Sequence, residues 1–336
     1  MNGAILPDSA VDALIQTGSV NATGGVAPDQ IQPASLDLRL GETAYRLRAS
    51  FLPSARASVQ DRLDDLALHQ VDLRQGAVLE PGAVYLAPLA ERLALPTDLS
   101  GRANPKSSTG RIDVFARVLA EAAGAFDTVP AGYSGPLYLE IAPRTFAIVA
   151  RAGARLAQLR FQQGQAEGAR AVDVAIDLEG RPGQPIGYRA KRHAPLIDLA
   201  RVGGHDPREY WEPLYPRATG LVLDPDEFYI LASDQPVRVD LDEAAEMAPI
   251  APEIGEFRAH YAGFFDPGFG CDPGGGARAV LEVRGRDVPF VLEHGQTVAR
   301  LVYDRLTEPP RRPYGGAGSH YQAQGLKLSK HFAAFD

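Results

Sequence analysis

Sulfur and tryptophan are scarce in this chain, whose 336 residues hold one cysteine, Cys271, two methionines and one tryptophan, Trp211. A lone thiol cannot close an internal disulfide, nor can it supply the ligands of a structural zinc site. Long apolar runs are also missing. The hydrophobic stretches are short and broken by Arg, Asp or Pro, far below the ~20 residues a membrane helix needs, so a soluble chain with no membrane partner is expected. The start, MNGAILPDSAVDALI, lacks the basic segment and continuous apolar stretch of a secretory signal, and a cytoplasmic location is expected. Positive charge is in deficit, with 34 Lys and Arg against 42 Asp and Glu and a net charge of −8. That argues against nucleic acid as a partner, because displacing its counterions takes a basic surface. An anionic ligand must then be met by a local basic pocket.

The length exceeds the ~250–300 residues at which single hydrophobic cores stop growing, so two folded units are expected. Self-comparison finds them. LEIAPRTFAIVARAGARLAQLRF (139–161) matches LEVRGRDVPFVLEHGQTVARLVY (281–303) without a gap. Leu139, Glu140, Gly153, Ala157 and Leu159 recur as Leu281, Glu282, Gly295, Ala299 and Leu301. Upstream, FDTVPAGYSG (126–135) parallels FDPGFG (265–270), and VYLAPLAE parallels FYILASDQ. A domain-sized period means tandem domains, whereas a solenoid repeats every ~20–50 residues. The expected division is 1–165 and 220–336, with 166–219 as a linker. Its RPGQPIGYRAKRHAP and REYWEPLYP are rich in Pro, Gly and charge, and its Trp211 is free to pack on either domain.

A first helix is expected with Asp8 or Ser9 as cap, Val11, Leu14 and Ile15 on one face, and Gly18 just past its end. Strands dominate afterwards. In SLDLRLG the residues Leu36, Leu38 and Leu40 alternate with Asp37 and Arg39; in GPLYLEI the residues Leu137, Leu139 and Ile141 alternate with Tyr138 and Glu140. Short alternating runs between turns, with 27 prolines and 34 glycines, predict a mainly β chain of sandwich, barrel or jelly-roll type. Glu140 and Glu282 fall on equivalent faces, opposite the apolar side chains. On alternation alone both are outward-facing charges on a solvated strand surface.

GRANPKSSTGRI (101–112) gathers glycines, hydroxyls and cations around a turn, which suits a polyphosphate. It also suits a polar loop with Ser107 or Ser108 as an ordinary turn former. It is not a Walker A loop, and no dinucleotide fingerprint follows a strand. Together with QPASLDLRLG (32–41), an Asp-containing hairpin with an aromatic and a glycine, and then LEI, it resembles the ordered signature of the dCTP deaminase family. The related dUTPases share the fold and the SSxGR-like element but usually lack a glutamate matching Glu140.

The resemblance implies two tandem dUTPase-like β-barrel or jelly-roll domains with few short helices. It implies hydrolysis of dCTP to dUTP and ammonia, feeding dUMP and dTTP synthesis, with dTTP as a candidate inhibitor. Glu140 is the expected general base and acid, with Glu282 as second candidate, while Ser107 and Arg111 position the water. Lys106, Ser108 and Arg102 are expected on the phosphates, Asp127 on the ribose, and Tyr133 beside it. Asp266 is the counterpart of Asp127 in copy two. HYQAQG (320–325) resembles the family's phosphate-closing tail and adds Tyr321, Gln324 and Lys327; His320 stands where relatives carry lysine, with Lys327 or Lys330 to compensate. Zinc deaminases need an H-x-E…P-C-x-x-C set that one cysteine cannot supply. No cofactor or metal motif is found, and magnesium is expected on the nucleotide triphosphate.

The two copies are unequal. Aligning Gly110 with Gly255 sets Pro252 opposite Ser107 and Glu256 opposite Arg111, so copy two is not expected to be catalytic alone. Family sites lie between neighbouring domains of a threefold ring, so a homo-oligomer of threefold symmetry is expected. The favoured arrangement is a ring of first domains in which Ser107, Arg111 and Glu140 meet. A competing one joins Ser107 and Arg111 to Glu282 across an asymmetric contact. The rival functions are a dUTPase with Asp127 activating water, a bifunctional deaminase and dUTPase, and a catalytically silent nucleotide-binding module.

Overall fold

The alternating runs form strands, and their pairing follows the repeat. A computed structural model describes residues 4–54, 56–164, 168–248, 263–271, 276–315, 321 and 324–335, with the backbone alone at 257–260. The first copy makes two antiparallel sheets around one core. One runs in the order Thr128–Val129, Leu99–Pro105, Arg155–Gln163, Ser35–Arg39, Ile31–Gln32; the other runs Val114–Ala120, Ser134–Pro143, Val84–Ala94, Thr43–Leu47, Ala67–Asp72. Leu36, Leu38 and Leu159 from the first sheet and Leu137, Leu139 and Ile141 from the second are buried in the same cluster. Helices are few and short, and among the described residues none is long and apolar enough to cross a membrane. The helix Asp8–Gln16 forms as expected, burying Val11 and Leu14, but Pro7 takes the N-cap position. The Asp8 carboxylate has another use: it accepts from the backbone N–H of Arg311 at 2.9 Å and of Arg312 at 3.0 Å.

The second copy repeats the plan. Thr297–Arg305 lies between Arg170–Ala175 and Glu243–Ala248, and Ala277–Gly285 lies between Phe228–Val237 and Phe257–His260. Even the register is kept. Glu140 stands opposite Leu86 on one side and Arg117 on the other, while Glu282 stands opposite Ile230 and His260.

The expected linker is a correction. Residues 168–219 open the second copy, because Arg170–Ala175 pairs with Thr297–Arg305 as Ser35–Arg39 pairs with Arg155–Gln163. Val172 and Val174 oppose Leu301 and Ala299, as Leu36 and Leu38 oppose Leu159 and Ala157. Val-Asp-Val thus repeats Leu-Asp-Leu inside a segment whose prolines and glycines hide the alternation. Gly187–Ala190 and Trp211–Leu214 join the other sheet of the second copy, and Ile197–Asp198 returns to lie parallel to Ile148–Ala150 of the first. Trp211 packs on both copies: its ring lies 5.4 Å from Phe146, 6.0 Å from Phe228 and 5.9 Å from Phe332.

Polar contacts fix how the copies meet. Arg160 donates to the carbonyls of Ala245 at 2.8 Å and Phe265 at 2.9 Å, and to Asp266 Oδ1 at 3.2 Å. In the reverse direction Arg284 pairs with Asp113 and donates to Thr145 Oγ1 at 3.0 Å. Asp113 is buried, and a buried carboxylate without its cation is strongly unfavourable. Arg284→Met alone should therefore cost about 3–5 kcal/mol in urea unfolding. Asp113→Asn combined with Arg284→Met should recover most of that loss.

Candidate active site

The motif 101–112 builds one wall. Leu99–Pro105 ends its strand at a proline, and Lys106 begins a single helical turn over Ser107–Gly110. The turn is fastened to the neighbouring strand by Lys106 N–H to the Leu156 carbonyl and by Thr109 Oγ1 to the same carbonyl, both at 2.9 Å. Lys106, Ser107, Ser108 and Arg111 thereby line a cavity of about 930 Å³. The opposite wall comes from the second copy, with Phe264, Asp266, Phe269, Val280 and Glu282. Tyr321, Gln324 and Lys330 of the C-terminal segment complete it.

Two charged groups occupy this cavity. In the first, Glu282 is 5% exposed and Arg111 is 3% exposed, with Arg111 Nε 3.9 Å from Glu282 Oε1. Burial pushes the Glu282 carboxyl up to about 8, and Arg111 draws it back only in part. In the second, Lys106 is clamped by the Asp37 carboxylate, and Arg155 approaches that carboxylate at 3.9 Å. Lys330 lines the same cavity, and its ammonium is lowered by burial and then by Lys106 nearby. Asp266 is raised by burial and held by Arg160.

Of the residues expected from sequence, Lys106, Ser107, Ser108, Arg111, Asp266, Glu282, Tyr321 and Gln324 come together here. Glu140, the favoured carboxylate, does not line this cavity. Its carboxylate is buried, accepting from Ser50 Oγ at 2.5 Å and from Arg117 Nε at 3.0 Å. The helix Val59–Leu66 packs Val59 and Leu63 on Leu47, Leu86 and Leu119 of the same sheet. Asp127 accepts from Val118 N–H at 2.8 Å and is pushed up to about 7 by burial. Tyr133 donates to the Pro136 carbonyl at 2.5 Å, and Arg102 reaches Glu246 of the second copy at 3.4 Å. None of these three lines the cavity. Lys327 contributes its backbone carbonyl, which accepts from Arg111 Nη1 at 3.0 Å. Pro252, Glu256 and His320 lie outside the described residues.

Sequence reasoning missed Asp37, Arg155 and Gln158 as cavity residues. Their signal was present in SLDLR and RLAQL, as the polar members of alternating strands whose second face is covered by the other copy. Asp177, Asp234 and His294 bring one potential metal ligand each within 4.8 Å of one another, but none of them lines the cavity. Asp177 there is already engaged by Arg278 and by the N–H groups of Glu179 and Gly180.

Comparison with known proteins gives the family. Residues 2–165 match the family model of the 2'-deoxycytidine 5'-triphosphate deaminase (DCD) N-terminal domain, and residues 143–332 match that of its C-terminal domain. The crystal structure of 2'-deoxycytidine 5'-triphosphate deaminase from Agrobacterium tumefaciens is similar at 51% identity and a TM-score of 0.88, over 93% of this chain and 100% of that one. The dCTP deaminase of Haloarcula marismortui is 33% identical over 162 residues, 47% of this chain and 80% of that protein. A protein of Beutenbergia cavernae named dCTP deaminase, dUMP-forming, is 30% identical over 158 residues, 47% of this chain and 78% of that protein. The chain consists of two tandem dUTPase-like β domains and belongs to the dCTP deaminase family.

The raised carboxyl makes stability depend on pH. Glu282 rests at about 8 in the folded chain against 4.5 when exposed, so the folded state holds the extra proton between those values. Its contribution is largest below 4.5 and is lost as pH rises through about 8. Glu282→Gln should therefore raise the melting temperature by an increment that grows from pH 5.5 to pH 8.5. A constant increment in calorimetry across that range would mean that Glu282 is ionised in the folded protein throughout.

Proposed function

We propose that this chain hydrolyses dCTP to dUTP and ammonia in one cavity between its two domains, with Glu282 as the proton-transfer group. The observation that carries the reading is the meeting of Ser107 and Arg111 from one copy with Glu282 from the other. A carboxyl near 8 is populated in both protonation states around neutral pH, as a group that takes and returns protons must be. Water adds to C4 of cytosine while Glu282 takes its proton and N3 receives one. A further proton moves to the amino group, the C4–N bond breaks, and ammonia leaves behind a C4 carbonyl.

Arg111 and Ser107 hold the water and the developing charge, and Lys106, Ser108, Arg155 and Lys330 supply the phosphate contacts. Asp266, with Phe269 behind it, faces the sugar. Magnesium enters as part of the nucleotide, held by the phosphates and its own waters, and no protein ligand is assigned to it. Because the second domain already covers Ser107 and Arg111 within the same chain, catalysis by this reading needs no ring of first domains. A second reading, onward hydrolysis to dUMP, is favoured by the dUMP-forming name of the Beutenbergia cavernae relative.

Incubation with dCTP and analysis of products tests both: dUTP with ammonia supports the deaminase, dUMP with pyrophosphate supports the bifunctional enzyme, and tight binding without turnover overturns both. Glu282→Gln should lower kcat by ~10²–10⁴-fold, while Glu140→Gln retains activity. Chains carrying Ser107→Ala and chains carrying Glu282→Gln should regain nothing when unfolded and refolded together. Recovery in the mixture would place the site between chains.

A further inference from the structure

Arg160 lies in the strand Arg155–Gln163 of the first copy, and in the gapless repeat its counterpart is Val302. Only one copy therefore carries a cation at this place. The side chain is buried and meets the second copy through two nitrogens: Nη1 donates to the Ala245 carbonyl at 2.8 Å, and Nη2 to the Phe265 carbonyl at 2.9 Å and to Asp266 Oδ1 at 3.2 Å. The guanidinium carbon lies 4.0 Å from the centroid of the Phe264 ring, within cation–π range. Nε has no hydrogen-bond partner among the described residues. A buried donor left unmet is unfavourable, so the acceptors of the second copy outweigh it in setting where the group sits.

Two of those acceptors belong to the stretch 264–269, which brings Asp266 to the cavity wall. Its turn is closed by Phe269 N–H donating to the Asp266 carbonyl at 3.0 Å, and the Phe269 ring is 5.6 Å from Tyr314. Asp127, the matching aspartate of the first copy, has no such partner. Among the described residues no cation donates a hydrogen bond to it, and burial pushes its carboxyl up to about 7. Burial raises Asp266 as well, but Arg160 and, after it, Lys106 draw it back. Lys106, a phosphate contact in the reading above, is thus close enough to be felt at Asp266.

We propose that Arg160 is a positioning residue for the sugar of the bound nucleotide: reaching across the boundary between copies, it holds the stretch 264–266 and fixes the Asp266 carboxylate as an acceptor for the 3′-hydroxyl. The inference rests on the deaminase reading above. With the triphosphate on C5′ and the base on C1′, a 2′-deoxyribose has one free hydroxyl, on C3′. An ionised carboxylate accepts and cannot donate; with Oδ1 taken by Arg160, Oδ2 is presented to that hydroxyl. Arg160 does not line the cavity, so it acts on the nucleotide only through Asp266.

Affinities for dCTP and for 2′,3′-dideoxy-CTP, measured by calorimetric titration in the Glu282→Gln chain so that turnover is slow, read the sugar contact directly. That chain should prefer dCTP by about tenfold or more, the difference that one hydrogen bond to a charged group makes. Adding Arg160→Met should erase the preference by weakening dCTP alone, and Arg160→Lys, which keeps a cation beside Asp266, should recover part of it. Equal weakening of both nucleotides by Arg160→Met gives Arg160 a structural role only and overturns the proposal, as does a Glu282→Gln chain without the preference. A second measurement needs no nucleotide. In urea unfolding at neutral pH, Asp266→Asn should lower the midpoint while Arg160 is present, because it strands a buried cation. In the Arg160→Met background it should raise the midpoint, because it removes a buried carboxyl that has lost its partner. The same shift in both backgrounds means that the two groups are not coupled and overturns the proposal. Binding of neither nucleotide overturns the deaminase reading, and the sign of the unfolding shifts then decides whether Arg160 holds Asp266.

Discussion

Burying a guanidinium is unfavourable by several kcal/mol unless its donors and charge are met, and Arg111 is buried where three stretches of chain converge. The first copy contributes it, the second brings Glu282 to 3.9 Å, and the C-terminal segment supplies two accepting oxygens and an aromatic face. Removing any of the three leaves a cation or a carboxylate in a low-dielectric space without its counterpart. The same logic runs along the boundary, where Arg160 crosses one way and Arg284 the other. Directional contacts of this kind set the register of docking, and the apolar contacts around Trp211 and Phe332 supply its burial.

The cavity follows from that docking. Neither copy encloses it alone, since Lys106, Arg111 and Arg155 come from the first and Asp266 and Glu282 from the second. The low dielectric that raises Glu282 is produced by the contact between copies. The carboxyl therefore acquires its raised proton affinity only when the interface forms.

Strand identity was legible because half-buried strands alternate, and SLDLR and PLYLE fold as their alternation predicts. The gapless match of 139–161 to 281–303 revealed the duplication and even its register, as Glu140 and Glu282 show. What alternation cannot say is what covers the polar face of a strand. For Glu140 it is Ser50 and Arg117; for Glu282 it is Arg111 of the other domain. Val172-Asp173-Val174 was lost among prolines and glycines, so 166–219 read as a linker. Gln324 looked like a phosphate contact because the motif around it does, yet its amide meets Arg111, 213 residues away. Partners at that separation leave no local pattern.

Glu140 and Glu282 hold matching places in matching strands but have different neighbours: Arg117 stands across from one and His260 across from the other. In an assembly of identical single-domain subunits, any substitution appears on both walls of every shared site, so one wall cannot adapt without altering the other's structural duties. Here each wall has its own stretch of coding sequence. The loop that carries Ser107 and Arg111 and the strand that carries Glu282 can vary independently, a freedom that symmetry denies to a ring of equal subunits.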